Sequence, residues 1–263
     1  MVTFRSWILA FTVLTATAAQ ADVFSVHLSA PGVMSGAPEG ASFVAVESFD
    51  RVLPGPASFT SNFGGSAISA TYNGALQVRG ADQFGGVGDT GQYIVSATPG
   101  SAYNLPFRTS GAVPGVNYFG FALEALDNGN SLTFYRNLHS IGQFSSSDFA
   151  ALLGPCGTGP YCGNPNTGEN RSEPYGFISF TDQSGFIDQV QFNQANNGGL
   201  FESDNHTVAY VTPGRQAGRI VIPEPAGITL LAAALVGLGL YRFARPEGTH
   251  SSSARLNREN TRS

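Results

Sequence analysis

The sequence predicts an all-β chain: an antiparallel β-sandwich, jelly-roll-like, with one short helix, followed by a single C-terminal transmembrane helix. Three observations predict it. Short apolar–polar alternations recur through the middle of the chain, broken by Gly, Asn, Asp and Pro. The composition is rich in Gly and aromatic residues and poor in charge. The two strongly apolar stretches lie near the two ends, Trp7–Leu14 and Ala226–Tyr241.

Of the 263 residues, 42% are hydrophobic and 12% charged, against about a quarter charged in an ordinary soluble domain. With 20 Phe and 9 Tyr, the chain carries enough aromatic surface to bury a core, which argues against intrinsic disorder. From Asp22 to Pro223 there are 7 Arg against 15 acidic residues, whereas the last 22 residues hold five Arg against two Glu. Phosphate contacts need clustered cations, so the acidic body excludes nucleic acid as a partner.

Ten segments read as strands by period-two alternation and flanking turn residues: 42–49, 58–63, 68–72, 92–97, 118–123, 131–135, 140–144, 176–180, 187–192 and 206–211. Val190 and Phe192 face inward while Gln189 and Gln191 face out, and Leu132 and Phe134 repeat the inward pattern, because side chains alternate across a strand. Asp127-Asn128-Gly129-Asn130 reads as a type I′ turn. A short helix is predicted over Asp148–Leu153, capped by Ser146 or Ser147 and stopped by Gly154. Regular spacing of this kind favours a sandwich spanning 22–222.

The ends read as membrane signals. Arg5, the apolar run and Ala19-Gln20-Ala21 before Asp22 form a secretory signal peptide over 1–21, cleaved between Ala21 and Asp22. Pro223-Glu224-Pro225 precedes an uncharged run over 226–241, then Arg242 and Arg245. With its apolar flanks that run reaches membrane-spanning length, and the arginines satisfy the positive-inside rule for an exported body. Residues 246–263 form a polar tail. The three-part pattern over Pro223–Arg245 resembles the PEP-CTERM sorting signal of Gram-negative bacteria. The resemblance implies processing beside the tripeptide by an exosortase. Arg242-Phe243-Ala244-Arg245 departs from the consecutive arginines of that signal, and the chain runs on past it. The body is similar to exosortase-dependent surface proteins in Phe63-Gly64-Gly65, Thr71-Tyr72-Asn73-Gly74, Gln83-Phe84-Gly85-Gly86, Gly91-Gln92-Tyr93 and Phe201-Glu202-Ser203-Asp204-Asn205. That likeness implies a surface location and no assigned chemistry.

The expected function is that of an exported surface or extracellular-matrix protein, structural or adhesive in exopolysaccharide and not an enzyme. Its expected partners are the Sec translocon, signal peptidase, an exosortase, the inner membrane in transit, and exopolysaccharide. A calcium-assisted glycan-binding module and a secreted hydrolase are the alternatives. Cys156 and Cys162 enclose a five-residue loop and are expected to pair in an oxidising compartment. Glu47 and Asp50 lie near one expected strand, and Glu202 and Asp204 just before another. If those strands adjoin, their oxygens suit structural calcium, and a solvated acidic edge is the plainer reading. Tyr161, inside the cysteine loop, is the candidate sugar-stacking aromatic. Gly86-Val87-Gly88-Asp89-Thr90-Gly91 spells a dinucleotide fingerprint, but the β-like Gln92-Tyr93-Ile94-Val95 after it leaves no helix N-terminus for pyrophosphate. No nucleophile elbow occurs, and His206 beside Asp204 is the only suggestive acid–base pair.

Overall fold

A computed structural model describes residues 22–80, 91–164, 170–195 and 198–212. Within them the alternation 189–194 emerges as a strand whose Val190 and Phe192 are fully buried and whose Gln189 and Gln191 are half-buried on the other face. The same rule builds fourteen strands: β1 Phe24–Leu28, β2 Ala41–Glu47, β3 Gly55–Pro56, β4 Phe59–Ser61, β5 Ile68–Gly74, β6 Leu76–Gly80, β7 Gln92–Ser96, β8 Ala102–Thr109, β9 Tyr118–Ala125, β10 Asn130–Arg136, β11 His139–Ser145, β12 Gly176–Asp182, β13 Gln189–Gln194 and β14 Glu202–Val211. One helix, α1 Ser146–Leu153, follows β11.

All pairings are antiparallel, and they form two sheets. One has eight strands, ordered β1-β12-β9-β14-β7-β6-β3, with β2 paired to β14 as well. The other has six, ordered β11-β10-β13-β8-β5-β4. The sheets face each other across rings contributed by both. Phe134 of β10 meets Phe180 of β12 at 5.0 Å between centroids, and Phe192 of β13 meets Phe121 of β9 at 5.3 Å. Burying a Phe side chain contributes roughly 1.5–3 kcal/mol, so a phenylalanine layer supplies the core. This is an all-β antiparallel sandwich with one helix.

The two sheets differ on their outer faces. Residues 29–40, between β1 and β2, cross the outside of the eight-stranded sheet. Met34 packs on Ala122, Tyr175 and Phe177, and Ala37 packs on Tyr118, Ala209 and Val211. The Tyr118 hydroxyl donates to Gly36 O at 2.5 Å, and Ser29 N–H to Phe177 O at 3.0 Å. Gly120 is required beneath this cover, because a Cβ there would stand 2.6 Å from Phe177 Cζ. Every residue of β9 and β12 is buried as a result.

Four strands were not expected from the sequence: β1, β3, β6 and β8. The reading of 127–130 is also corrected. Only Gly129 has positive φ, so the turn has the type II pattern rather than I′, and it carries the chain from one sheet to the other instead of closing a hairpin. The cap of α1 is Ser145, not Ser146 or Ser147. The Asp148 carboxylate accepts from Ser145 N–H at 2.7 Å and from its hydroxyl at 2.6 Å.

The leader over 1–21, including Ala19 and Ala21, lies outside the described residues, as do Gln83–Gly86, the signal Pro223, Glu224, Pro225, Arg242 and Arg245, the span 226–241 and the tail 246–263. Among the described residues no helix is long and apolar enough to cross a membrane.

Candidate functional site

β14 pairs with β9 along one side, and on its other side it pairs first with β7, through Glu202 and Ser203, and then with β2, from His206 onward. The handover falls at Asp204 and Asn205, where the register against β9 shifts and Asn205 adopts φ 47°. Asn tolerates the left-handed region better than most residues. The strands holding Glu47 and Asp204 are thus neighbours, with Glu47 directly opposite His206.

Around this corner the acidic residues are held by local donors. Glu47 Oε1 accepts from Phe49 N–H at 2.8 Å, and its other oxygen accepts from the Ser61 hydroxyl. Asp50 accepts from Gln92 N–H at 3.0 Å and from Ser48 Oγ at 2.8 Å. Asp204 accepts from Asn205 N–H at 2.6 Å. Burial raises the Asp204 carboxyl to about 8, with further upward contributions from Asp50 and Glu47, against the lowering effect of the Asn205 N–H. Glu202 lies buried two residues earlier, where β14 meets Val95 and Ala125. Among the described residues no group of three or more His, Cys, Asp or Glu is arranged to hold a metal ion. The corner adjoins an open groove of about 860 Å³ lined by Glu47, Arg51, Phe59, Thr60 and Asn62.

Behind the corner lies a hydrogen-bonded chain that joins the sheets. Tyr103 of β8 bonds Ser203 Oγ at 3.0 Å, Ser203 Oγ bonds His206 Nε2 at 2.9 Å, and His206 Nδ1 bonds the Tyr72 hydroxyl of β5 at 3.1 Å. All four side chains are fully buried. The imidazole stacks on Phe192 at 5.0 Å and meets Phe49 edge-on at 5.0 Å. Burial lowers its pKa to about 3, so it is neutral. Burial likewise raises both tyrosines well above their ordinary values, so they keep their protons. A neutral imidazole offers one donor and one acceptor, which two hydroxyls satisfy in full. Ser203 and His206 have the contact of a nucleophile with its base, but no solvent reaches them. The arrangement fastens the two sheets together. His206 takes Ser203 and Tyr72 as partners rather than Asp204.

Comparison with known proteins found no matching family model, no matching curated protein and no matching solved structure.

The other sequence candidates are also placed. Cys156 and Cys162 form a disulfide with Cα atoms 5.4 Å apart. Tyr161 inside that loop turns inward: its hydroxyl donates to Ser29 O at 2.9 Å, and its ring meets Tyr175 at 6.5 Å. Gly91 leads into strand β7, so no helix follows the glycine run. Asp22 binds Arg136 Nη1 at 2.8 Å, and the same guanidinium engages the fully buried Asp182. Ser203, Tyr72 and Tyr103 were missed as one network. Ser203 and His206 are three residues apart, a separation that signals contact only when a bulge intervenes. Tyr103 sits on β8, whose alternation is interrupted by Pro106.

Proposed function

We propose that this chain is an exported protein of the bacterial surface or extracellular matrix, sorted by an exosortase and serving a structural or adhesive role in exopolysaccharide. One observation carries the reading: Pro223-Glu224-Pro225, an uncharged run over 226–241 and Arg242 with Arg245 stand in that order behind a domain preceded by a leader-like segment. In this reading the leader threads the chain outward and is removed before Asp22. The apolar run crosses the inner membrane as one helix with the arginines inside. The exosortase then acts beside the tripeptide. Proline fixes φ and lacks an N–H, so the Pro-flanked segment stays extended and open to a protease. The domain released has jelly-roll-like character and no catalytic role.

Support from the fold is general. An all-β domain with a disulfide suits an oxidising exterior. Mass spectrometry of the chain recovered from a Gram-negative host with an exosortase tests the proposal. The expected mature protein begins at Asp22 and ends near Pro223–Pro225. A surface-located chain still ending at Ser263 overturns the processing.

A further inference from the structure

The outer face of the six-stranded sheet is built differently from that of its partner. Where β8, β13 and β10 run side by side, the outward face carries Asn104, Gln189, Gln191 and Tyr135 together with Pro106 and Thr133. Asn104 Oδ1 accepts from Gln191 Nε2 at 2.9 Å and from Gln189 Nε2 at 3.2 Å, and the Tyr135 hydroxyl donates to Gln191 Oε1 at 3.2 Å. These bonds fix the planes of the amides they join. Above them lies an open groove of about 550 Å³, within the range of ligand sites.

The groove wall is the turn between β10 and β11. Asn137 and Leu138 both have positive φ, 49° and 65°, as a two-residue type I′ hairpin requires. Asn137 N–H is anchored on Asp188 Oδ2 at 2.6 Å. Such a turn favours Asn-Gly, yet this one holds leucine in the left-handed region with 91% of its surface exposed. The side chain gains no packing there in exchange for its strain, and backbone strain of this kind collects at binding sites. A β-bulge lies beside Tyr135: Phe134 pairs with Gly142 but Tyr135 with Ser140, leaving Ile141 unpaired. Bulges re-aim side chains.

The chemistry of the floor selects its occupant. Fixed amides offer donors and acceptors together, Tyr135 offers a ring, and Leu138 an apolar rim. Arg108 and Asp188, one of each sign, line the same groove. An anionic or cationic partner gains little from such a surface, whereas a chain of hydroxyls and C–H faces matches it. We propose that this groove binds a neutral polysaccharide, with Tyr135 stacking on a sugar ring, Asn104, Gln189 and Gln191 bonding its hydroxyls, and Leu138 covering an apolar sugar face.

This inference rests on the adhesive part of the function proposed above and is tested apart from sorting. Full-length chain in mild detergent is run in affinity electrophoresis through gels containing laminarin, dextran, galactomannan or, as the charged control, alginate. Retardation by at least one of the three neutral polymers is expected. Tyr135→Ala should weaken it at least tenfold, Tyr135→Phe only a few-fold, and Tyr161→Ala not at all. Leu138→Gly gives a readout that a purely structural role would not: it should raise Tm, because Asn-Gly suits the turn, and yet weaken retardation. No retardation by any neutral polymer, retardation by alginate alone, or retardation unchanged in both Tyr135→Ala and Leu138→Gly overturns the inference. None of these results alters what the mature C-terminus says about sorting.

Discussion

His206 and Asp204 sit two residues apart and respond to protons in opposite directions. His206 titrates near 3 in the folded chain and near 6.5 when unfolded. Its folded value is depressed, so protonation favours unfolding, and the stability it supports is complete above about 6.5 and drains away as pH falls toward 3. Asp204 titrates near 8 when folded and near 3.9 when unfolded. Its folded value is raised, so the stability it supports is complete below about 3.9 and is lost as pH rises toward 8. Between about 4 and 6.5 the two slopes cancel. The pair therefore contributes a plateau of stability there, a fall below it from His206 and a fall above it from Asp204. Urea unfolding from pH 3 to 9 should show both shoulders. Asp204→Asn should remove the alkaline one and turn the plateau into a rise. An unchanged profile in Asp204→Asn would contradict the burial of that carboxyl. The residue types at 204 and 206 were readable in the sequence, but their partners were not, since Tyr72 and Ser203 reach His206 only through sheet pairing and a bulge.

Legibility at the level of elements followed burial. β10 and β13 bury one face each, so their alternation announced them, down to the inward Leu132, Phe134, Val190 and Phe192. β8 has the same alternation in Tyr103, Leu105 and Phe107, but Pro106 argues against a central strand. The structure accommodates it because the β5 ladder pairs Ala70 with Phe107 and Asn73 with Asn104, leaving Leu105 and Pro106 unpaired on that side. Missing β8 hid the amide groove as well, because Gln189 and Gln191 acquire meaning only beside Asn104. The helix is legible, but its expected start at Asp148 falls two residues after the observed start at Ser146. Asp148 accepts both donors of Ser145, so Ser145→Ala should cost about 1 kcal/mol, read as a shift in the chemical-denaturation midpoint, while Ser146→Ala should cost much less. Equal losses at the two positions would mean that the cap is misassigned.

A guanidinium shared by two carboxylates joins the two sheets. Arg136 belongs to β10 of the six-stranded sheet, and its guanidinium holds Asp182 at the end of β12 in the eight-stranded one, together with Asp22 just ahead of β1. Asp182 is fully buried and also accepts from Ser184 N–H at 2.7 Å. Removing the cation leaves that carboxylate with only the Ser184 and Gly185 N–H donors on its other oxygen, so Arg136→Met should cost on the order of 3 kcal/mol. The double variant Arg136→Met with Asp182→Asn should recover a substantial part of the loss, as measured by thermal melting. No recovery would show that packing of the Arg136 stem, rather than charge, makes the contribution. The sequence announced an antiparallel β architecture at this scale because composition and alternation are summed over many strands. It could not announce which sheet each strand joins. Asn128-Gly129 illustrates why: the dipeptide that marks a hairpin here marks a crossing between layers.

The covering of residues 29–40 over the eight-stranded sheet has a further consequence. Among the described residues one broad flank is upholstered from within while the opposite flank stays open. If the proposed amide groove holds a polysaccharide, a domain with one such flank coats a fibre, and joining two fibres takes a second copy.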